Sequence, residues 1–415
     1  MIAPAAMAAR ATSTYVCAFR GRRDAYQVPL ALQEAGLLDQ LITDVYASPA
    51  VHSLTRWAPS GFREKLAARK QAGIPSEKVR CLWSTTFLEH ARHRLGFAPA
   101  MTYLKLDSQF SHAAARRAQS QRAHLLLYSP YAWEAFVAKY THEPHRVLFQ
   151  YHPHSALEQR ILGTDCEQYP NIRESFSSTQ DSAGAEHLVA RERDCWKHAD
   201  EILCASRFTK LSLLEAGADE KRCHVVPYGI DLPLERNIRA TPTDFRCVFV
   251  GSGGRRKGLH HLLLAWQAAK LPATSELTLL CRVIDREIEK MAIATPRVKL
   301  VRGLPQSELD AVYASNSLFV MPSLVEGFGQ VYLEALAQGC PVLGTTHTCL
   351  PDLGDEEDGV FLAEAGNIDH LTSQLETLSR ALPGNADTRR AARDCAKRFT
   401  WPAFRNGIRA ALSPA

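Results

Sequence analysis

The sequence predicts an α/β protein made of two parallel-sheet domains, and three observations carry that expectation. Short apolar runs alternate with helical patterns along most of the chain, the mark of successive βαβ units. The chain has 415 residues, and a single core stops growing near about 250–300 residues. The alternation also restarts at Phe245, after the aperiodic segment 232–244 (LPLERNIRATPTD), which reads as a linker.

In the first domain, residues 14–19 read as a strand, the turn Gly21-Arg22-Arg23-Asp24 follows, and a helix is expected near 27–35. Residues 41–46 form the next strand, and 60–120 are helix-rich and irregular. Further strands are expected at 124–128 and at 146–151, the latter running into His152-Pro153-His154. A helix at 186–198, a strand at 201–204, a helix at 207–216 and a short strand at 225–226 lead to Pro227-Tyr228-Gly229-Ile230-Asp231. In the second domain FRCVFV is a strand, GSGGRRKG a turn and LHHLLLAWQAA a helix. Strands follow at 277–282, 298–301, 318–321 and 342–344. The tail 387–412 is basic and helical, interrupted at Thr400-Trp401-Pro402. The expected division is 1–232, 233–395 and a helical tail 396–415.

Apolar content of 46% and charged content of 22% are those of an ordinary globular protein, and a net charge of +5 gives no reason to expect nucleic acid. The charge is unevenly spread. Residues 56–122 hold thirteen Lys/Arg against four acids, a local +9 that includes Trp57, Trp83, Phe87, Phe97 and Tyr103. Such a window is either a solvated face or a surface for an anionic membrane. The eleven cysteines show no C-x-x-C spacing, and several lie inside strand-like runs. That usage suits a reducing, cytoplasmic setting and offers no zinc site. No charged segment followed by an apolar core opens the sequence, and no run approaches 18 apolar residues, so neither a secretory signal nor a membrane span is expected.

The densest chemistry lies in 321–344, MPSLVEGFGQVYLEALAQGCPVLG. A strand delivers a glycine-bearing turn into a helix, and the free N–H groups and dipole of a helix N-terminus favour an anion. Two carboxylates, Glu326 and Glu334, flank that turn eight positions apart. Carboxylates beside an anion site make sense when the ligand also carries hydroxyls, as a nucleotide sugar does. A second strand–turn–helix places Gly251, Gly253 and Gly254 before Arg255, Arg256, Lys257 and Gly258, glycines for close approach and cations for phosphate. GSGG lacks the third glycine of a dinucleotide fingerprint, since Arg256 stands there, and Lys257-Gly258-Leu259 is not a Walker loop.

EGFGQVYLEA resembles the E-x7-E signature of retaining glycosyltransferases of family 4, which have the GT-B fold. The resemblance implies two Rossmann-like domains facing across a cleft, an N-terminal acceptor domain, a C-terminal nucleotide-sugar domain, and a C-terminal helix crossing back to the first. It implies that Glu326 meets the transferred sugar and Glu334 the ribose, with Gly327, Phe328, Gly329, Gln330 and Val331 along the sugar and diphosphate. Lys257-Gly258 matches the family's Lys-Gly diphosphate ligand. Ser252 stands where the family carries an Arg, so Arg255 or Arg256 is the candidate replacement. His152, with His154 as competitor, matches a strand-end His near the donor sugar. Tyr228 replaces a usual Asn.

The implied activity is transfer of a sugar from a nucleotide sugar to a saccharide or lipid-linked acceptor with retention, as in polysaccharide biosynthesis. No metal or cofactor is implied: no Asp-x-Asp occurs, and Asp352 and the run 355–358 read as a solvated loop. The implied location is the cytoplasm or its membrane face. The alternatives are a nucleotide-sugar epimerase of the same fold and a non-catalytic nucleotide-sugar-binding protein.

Overall fold

The computed structural model describes residues 14–47, 60–85, 95, 99–172, 191–233 and 241–412. The strands are β1 (Tyr15–Ala18), β2 (Leu38–Thr43), β3 (Val79–Cys81), β4 (His124–Tyr128), β5 (Arg146–Gln150), β6 (Glu201–Cys204) and β7 (Cys223–Val225), in one sheet of order β3-β2-β1-β4-β5-β6-β7. The pairings from β3 through β5 are parallel. A second sheet holds β8 (Arg246–Val250), β9 (Glu276–Leu280), β10 (Val298–Val301), β11 (Leu318–Val320), β12 (Val342–Thr345) and β13 (Val360–Ala363). Its order is β10-β9-β8-β11-β12-β13, parallel throughout. Two parallel-sheet α/β assemblies are therefore present, as the alternation predicts.

Two compact units divide the chain. One takes Met1–Phe149, Ala183–Ile202 and Ile408–Ala415; the other takes Gln150–Ser182 and Leu203–Gly407. The end of the chain thus returns to the first unit, where Arg409 donates to Glu34 Oε2 at 2.6 Å.

In the second unit, near-continuous apolar strands follow from burial on both faces. Val248, Phe249, Leu318, Phe319, Val342 and Leu343 are all inaccessible to solvent. Helix Leu259–Ala268 is apolar around most of its circumference and is buried, including His260 and His261 in its first turn. Elements without a strong apolar run are also present: β3, β13, and the helices Ser155–Gln168, Arg286–Ala294, Gln306–Ala314 and Ile368–Ala381. The interruption in the tail is a helix boundary, with Ala386–Lys397 ending before Trp401–Leu412.

The second sheet places the site. From β8 the chain builds outward through β9 and β10, then crosses to β11 on the other side of β8. The β8/β11 boundary is a topological switch point, and the crevice beyond the carboxyl ends of the strands there is where open α/β sheets bind ligands. The turn after β8 carries Lys257, and the loop after β11 carries Glu326.

The expected helix 186–198 is described only from residue 191, where it ends in the turn Cys195–His198. Most of the linker 232–244, together with Trp57, Phe87 and Phe97 of the basic window, lies outside the described residues. Within that window Arg69 pairs with Asp44 at 3.3 Å, Arg117 pairs with Asp39 at 2.7 Å, and Lys78 donates to the Leu38 carbonyl at 2.8 Å. Those charges serve the first sheet. No helix among the described residues is long and apolar enough to cross a membrane.

Candidate active site

The loop after β11 is stitched to two neighbours. The Leu324 N–H donates to the Arg256 carbonyl at 2.9 Å, and the Glu326 N–H donates to the His347 carbonyl at 3.1 Å. Glycine is required where these segments touch. Gly258 has φ +65°, and a Cβ there would strike the Pro322 carbonyl. A Cβ on Gly327 would meet the Tyr151 carbonyl, while Thr209 Oγ1 donates to the Gly327 carbonyl at 3.3 Å. The strand end at Tyr151-His152, the Lys257 turn and the Glu326 loop thus meet through backbone contacts that leave no room for side chains.

Their side chains converge on one carboxylate. Glu326 is 8% exposed. Lys257 Nζ pairs with Glu326 Oε2, and Arg256 reaches the same oxygen at 3.1 Å and the Val325 carbonyl at 3.1 Å. His152 Nε2 lies 3.5 Å from Arg256, and its Nδ1 lies 3.5 Å from Glu158. Burial alone would push the Glu326 carboxyl up, but Lys257, Arg256 and His152 together hold it well below its ordinary range. Burial lowers Lys257, with Glu326 opposing, and burial likewise lowers His152. Two cations thus stand against one carboxylate beside the N-terminus of helix Gln330–Ala337, which begins at Gly329 without a side-chain cap. An anionic ligand is favoured by both the excess positive charge and the helix end.

The other expected residues fall as follows. Glu334, half-buried on that helix, accepts from Tyr313 Oη at 3.0 Å, and burial raises its pKa. Phe328 is buried against Tyr228, edge to face at 5.3 Å between ring centroids. Gln330 is exposed and Val331 half-buried. His154 is the N-cap of helix Ser155–Gln168, its Nδ1 accepting from the Ala156 N–H at 3.4 Å, so of the two histidines it is His152 that reaches the Glu326 cluster.

Arg255 is not brought to Glu326. It turns inward to Asp165 Oδ2 and to the carbonyls of Tyr169 (2.9 Å) and Ile172, leaving Arg256 as the guanidinium beside the carboxylate. Asp352 departs from the solvated-loop reading. Its carboxylate is nearly buried and accepts from the Arg207 N–H at 2.6 Å, at the start of helix Arg207–Glu215. The acids at 355–357 are exposed, as expected. Sequence reasoning missed Tyr313, Thr209 and Asp165, which meet their partners 21, 118 and 90 residues away, and Glu158, which lies six residues from His152; none of them carries a motif.

Residues 244–381 match the family model described as "Glycosyl transferases group 1". Among similar sequences, the MMP alpha-(1->4)-mannosyltransferase of Mycolicibacterium hassiacum is 26% identical over 225 residues, 52% of this chain and 54% of that one. The sulfoquinovosyl transferase SQD2 of Arabidopsis thaliana is 30% identical over 165 residues, 39% of this chain and 32% of that one. The chain spans about half the length of the first relative and a third of the second. Among solved structures, sucrose-phosphate synthase from Thermosynechococcus elongatus superposes with a TM-score of 0.66 at 15% identity, covering 96% of this chain and 98% of its own. Anabaena Alr3699/HepE in complex with UDP-glucose gives 0.57 at 15% identity, covering 96% and 99%. At such identity the likeness shows the fold, and the fold is GT-B. Over residues 244–381 the chain is thus similar to group 1 glycosyltransferases, and its sequence relatives include family-4-like members of that class.

Proposed function

We propose that this protein transfers a sugar from a nucleotide-sugar donor to an acceptor, with retention at the anomeric carbon and without a metal ion. The observation that carries the reading is the convergence of Lys257 and Arg256 on Glu326 beside the uncapped N-terminus at Gly329. As the nucleoside diphosphate departs, the sugar gains oxocarbenium character. Glu326 opposes that positive charge. Lys257, Arg256 and the helix N-terminus oppose the negative charge growing on the leaving phosphate, which is electrostatic preorganisation. Two cations already fill the role a divalent ion would take. His152, held neutral by burial, orients the donor and is not a strong base. In this reading the leaving phosphate itself takes the acceptor proton in a front-face route.

Glu334 anchors the ribose, with Gly327, Phe328, Gln330 and Val331 along the diphosphate and sugar. The donor class is supported by the neighbour Anabaena Alr3699/HepE, whose structures hold UDP with glucose and UDP-glucose. A saccharide or lipid-linked acceptor is supported by relatives named for amylovoran and O-antigen synthesis. The chain would act in the cytoplasm, on soluble or membrane-assembled glycans.

The test is calorimetry and product analysis over a panel of nucleotide sugars, with wild type and Glu326→Gln. Transfer by wild type, and a large fall in kcat with little change in donor KM in the variant, is expected. Free epimerised sugar formed without acceptor would favour an epimerase, and donor binding with no turnover on any acceptor a binding protein.

A further inference from the structure

Behind the Lys257 turn lies a second cluster with no assigned role. Asp165, Arg255, His260 and His261 are all nearly inaccessible, with side-chain exposures of 5%, 2%, 0% and 3%. His260 Nε2 lies 3.1 Å from both Asp165 oxygens, and His261 Nε2 lies 2.8 Å from Oδ1. Arg255 pairs with Oδ2 and is held by the carbonyls of Tyr169 and Ile172.

Asp165, His260 and His261 have the make-up of a metal-ligand triad. The charge count argues against an ion. The Asp165 carboxylate is already balanced by the Arg255 guanidinium. A divalent cation would leave two uncompensated charges in a dry interior beside Arg255, an arrangement of high desolvation cost.

We infer that these four residues form a charge-balanced clamp that holds the Arg256–Lys257 turn against Glu326, making Asp165 a positioning residue for sugar transfer. The inference rests on the proposed roles of Lys257 and Glu326. Arg255 opens the same three-residue turn as Arg256 and Lys257, both of which touch Glu326. Fixing Arg255 therefore fixes the direction of its two neighbours. Its neutralisation by Asp165 also relieves the repulsion among three adjacent cations. Asp165 lies on helix Ser155–Gln168, which also carries Glu158, the partner of His152. One helix thus ties the His152 strand end to the Lys257 turn.

The test is a double-mutant cycle between Asp165→Asn and Lys257→Ala, with kcat, donor Kd and folded fraction measured for each. Asp165→Asn should lower kcat about tenfold or more with donor Kd within about threefold, and add less than about twofold in the Lys257→Ala background. Asp165→Asn strands Arg255 without its carboxylate and can lower the folded yield. His261→Asn, a milder cut at the same clamp, is therefore run through the same cycle and should show a smaller, equally non-additive loss.

Additive losses would overturn the inference. So would a lowered Tm with kcat per folded molecule unchanged, or one equivalent of transition metal in the purified protein by elemental analysis. Full kcat in Lys257→Ala alone would fault the site reading instead, and the same cycle with Arg256→Ala then decides the clamp.

Discussion

Replacing Lys257 with alanine separates binding from chemistry at this site. Lys257 is half-buried, its side chain 14% exposed, and its ammonium pairs with Glu326 Oε2. Arg256 sits 3.1 Å from that same oxygen, so Lys257→Ala does not leave Glu326 alone. Breaking a buried pair outright costs about 3–5 kcal/mol, and the remaining guanidinium should keep the stability loss below that range. The catalytic loss has no such substitute, because Arg256 already donates to the Val325 carbonyl as well as to Glu326. Removing one preorganised electrostatic donor costs about 2.7–4 kcal/mol, roughly 100- to 1,000-fold in kcat. The assay is single-turnover transfer at saturating donor, with calorimetry for donor Kd and thermal melting for the fold. Near-wild-type kcat in a folded variant would refute the role and move it to Arg256, with the double substitution deciding.

Four further outcomes follow from the same geometry. Glu334→Ala should weaken donor binding by about 1.5–3 kcal/mol, the range for a hydrogen bond to a charged group, and unchanged calorimetric affinity would sink the ribose assignment. Gly327→Ala forces a Cβ onto the Tyr151 carbonyl and should cost about 1–3 kcal/mol of stability, read as a shifted denaturation midpoint; an unshifted midpoint would contradict the close approach. Glu326 is held below its ordinary value of 4.5, so its ionic contribution is complete above that pH and is lost as pH falls through the depressed folded value. The stability gap between wild type and Glu326→Gln should therefore shrink below pH 4.5 in denaturant titrations, and a pH-independent gap would refute it. For the basic window, vesicle co-sedimentation should show binding to anionic vesicles that weakens with salt, and no binding to either anionic or neutral vesicles at any salt would leave the charges to the structural pairs of Arg69, Arg117 and Lys78.

Much of the second sheet was legible because its strands are buried on both faces and read as short, unbroken apolar runs. β10 matches its expected bounds of 298–301, and β8 and β11 each differ by one residue at an end. The Glu326 loop was legible because its chemistry is local: carboxylates, glycines and a helix start within nine residues. The direction of the three basic residues was not. Arg255, Arg256 and Lys257 form a 3-10 turn, in which successive side chains point about 120° apart. Neighbours of like charge thus face different surroundings, and Asp165, 90 residues away, together with the Tyr169 and Ile172 carbonyls, selects which one is buried. Asp352 was misread for the same reason, since its partner Arg207 is 145 residues distant. β13 was not expected because its apolar run, VFLA, follows directly on an acidic turn that reads as a loop.

The central claim is retaining transfer at the Glu326–Lys257–Arg256 cluster. The most direct measurement is proton NMR of the anomeric signal during turnover, with the donor that calorimetry selects and its matching acceptor. The first-formed product should carry the donor's anomeric configuration, and Glu326→Gln should slow its appearance without changing that configuration. A product of inverted configuration, or formation at an unchanged rate in Glu326→Gln, would contradict the account.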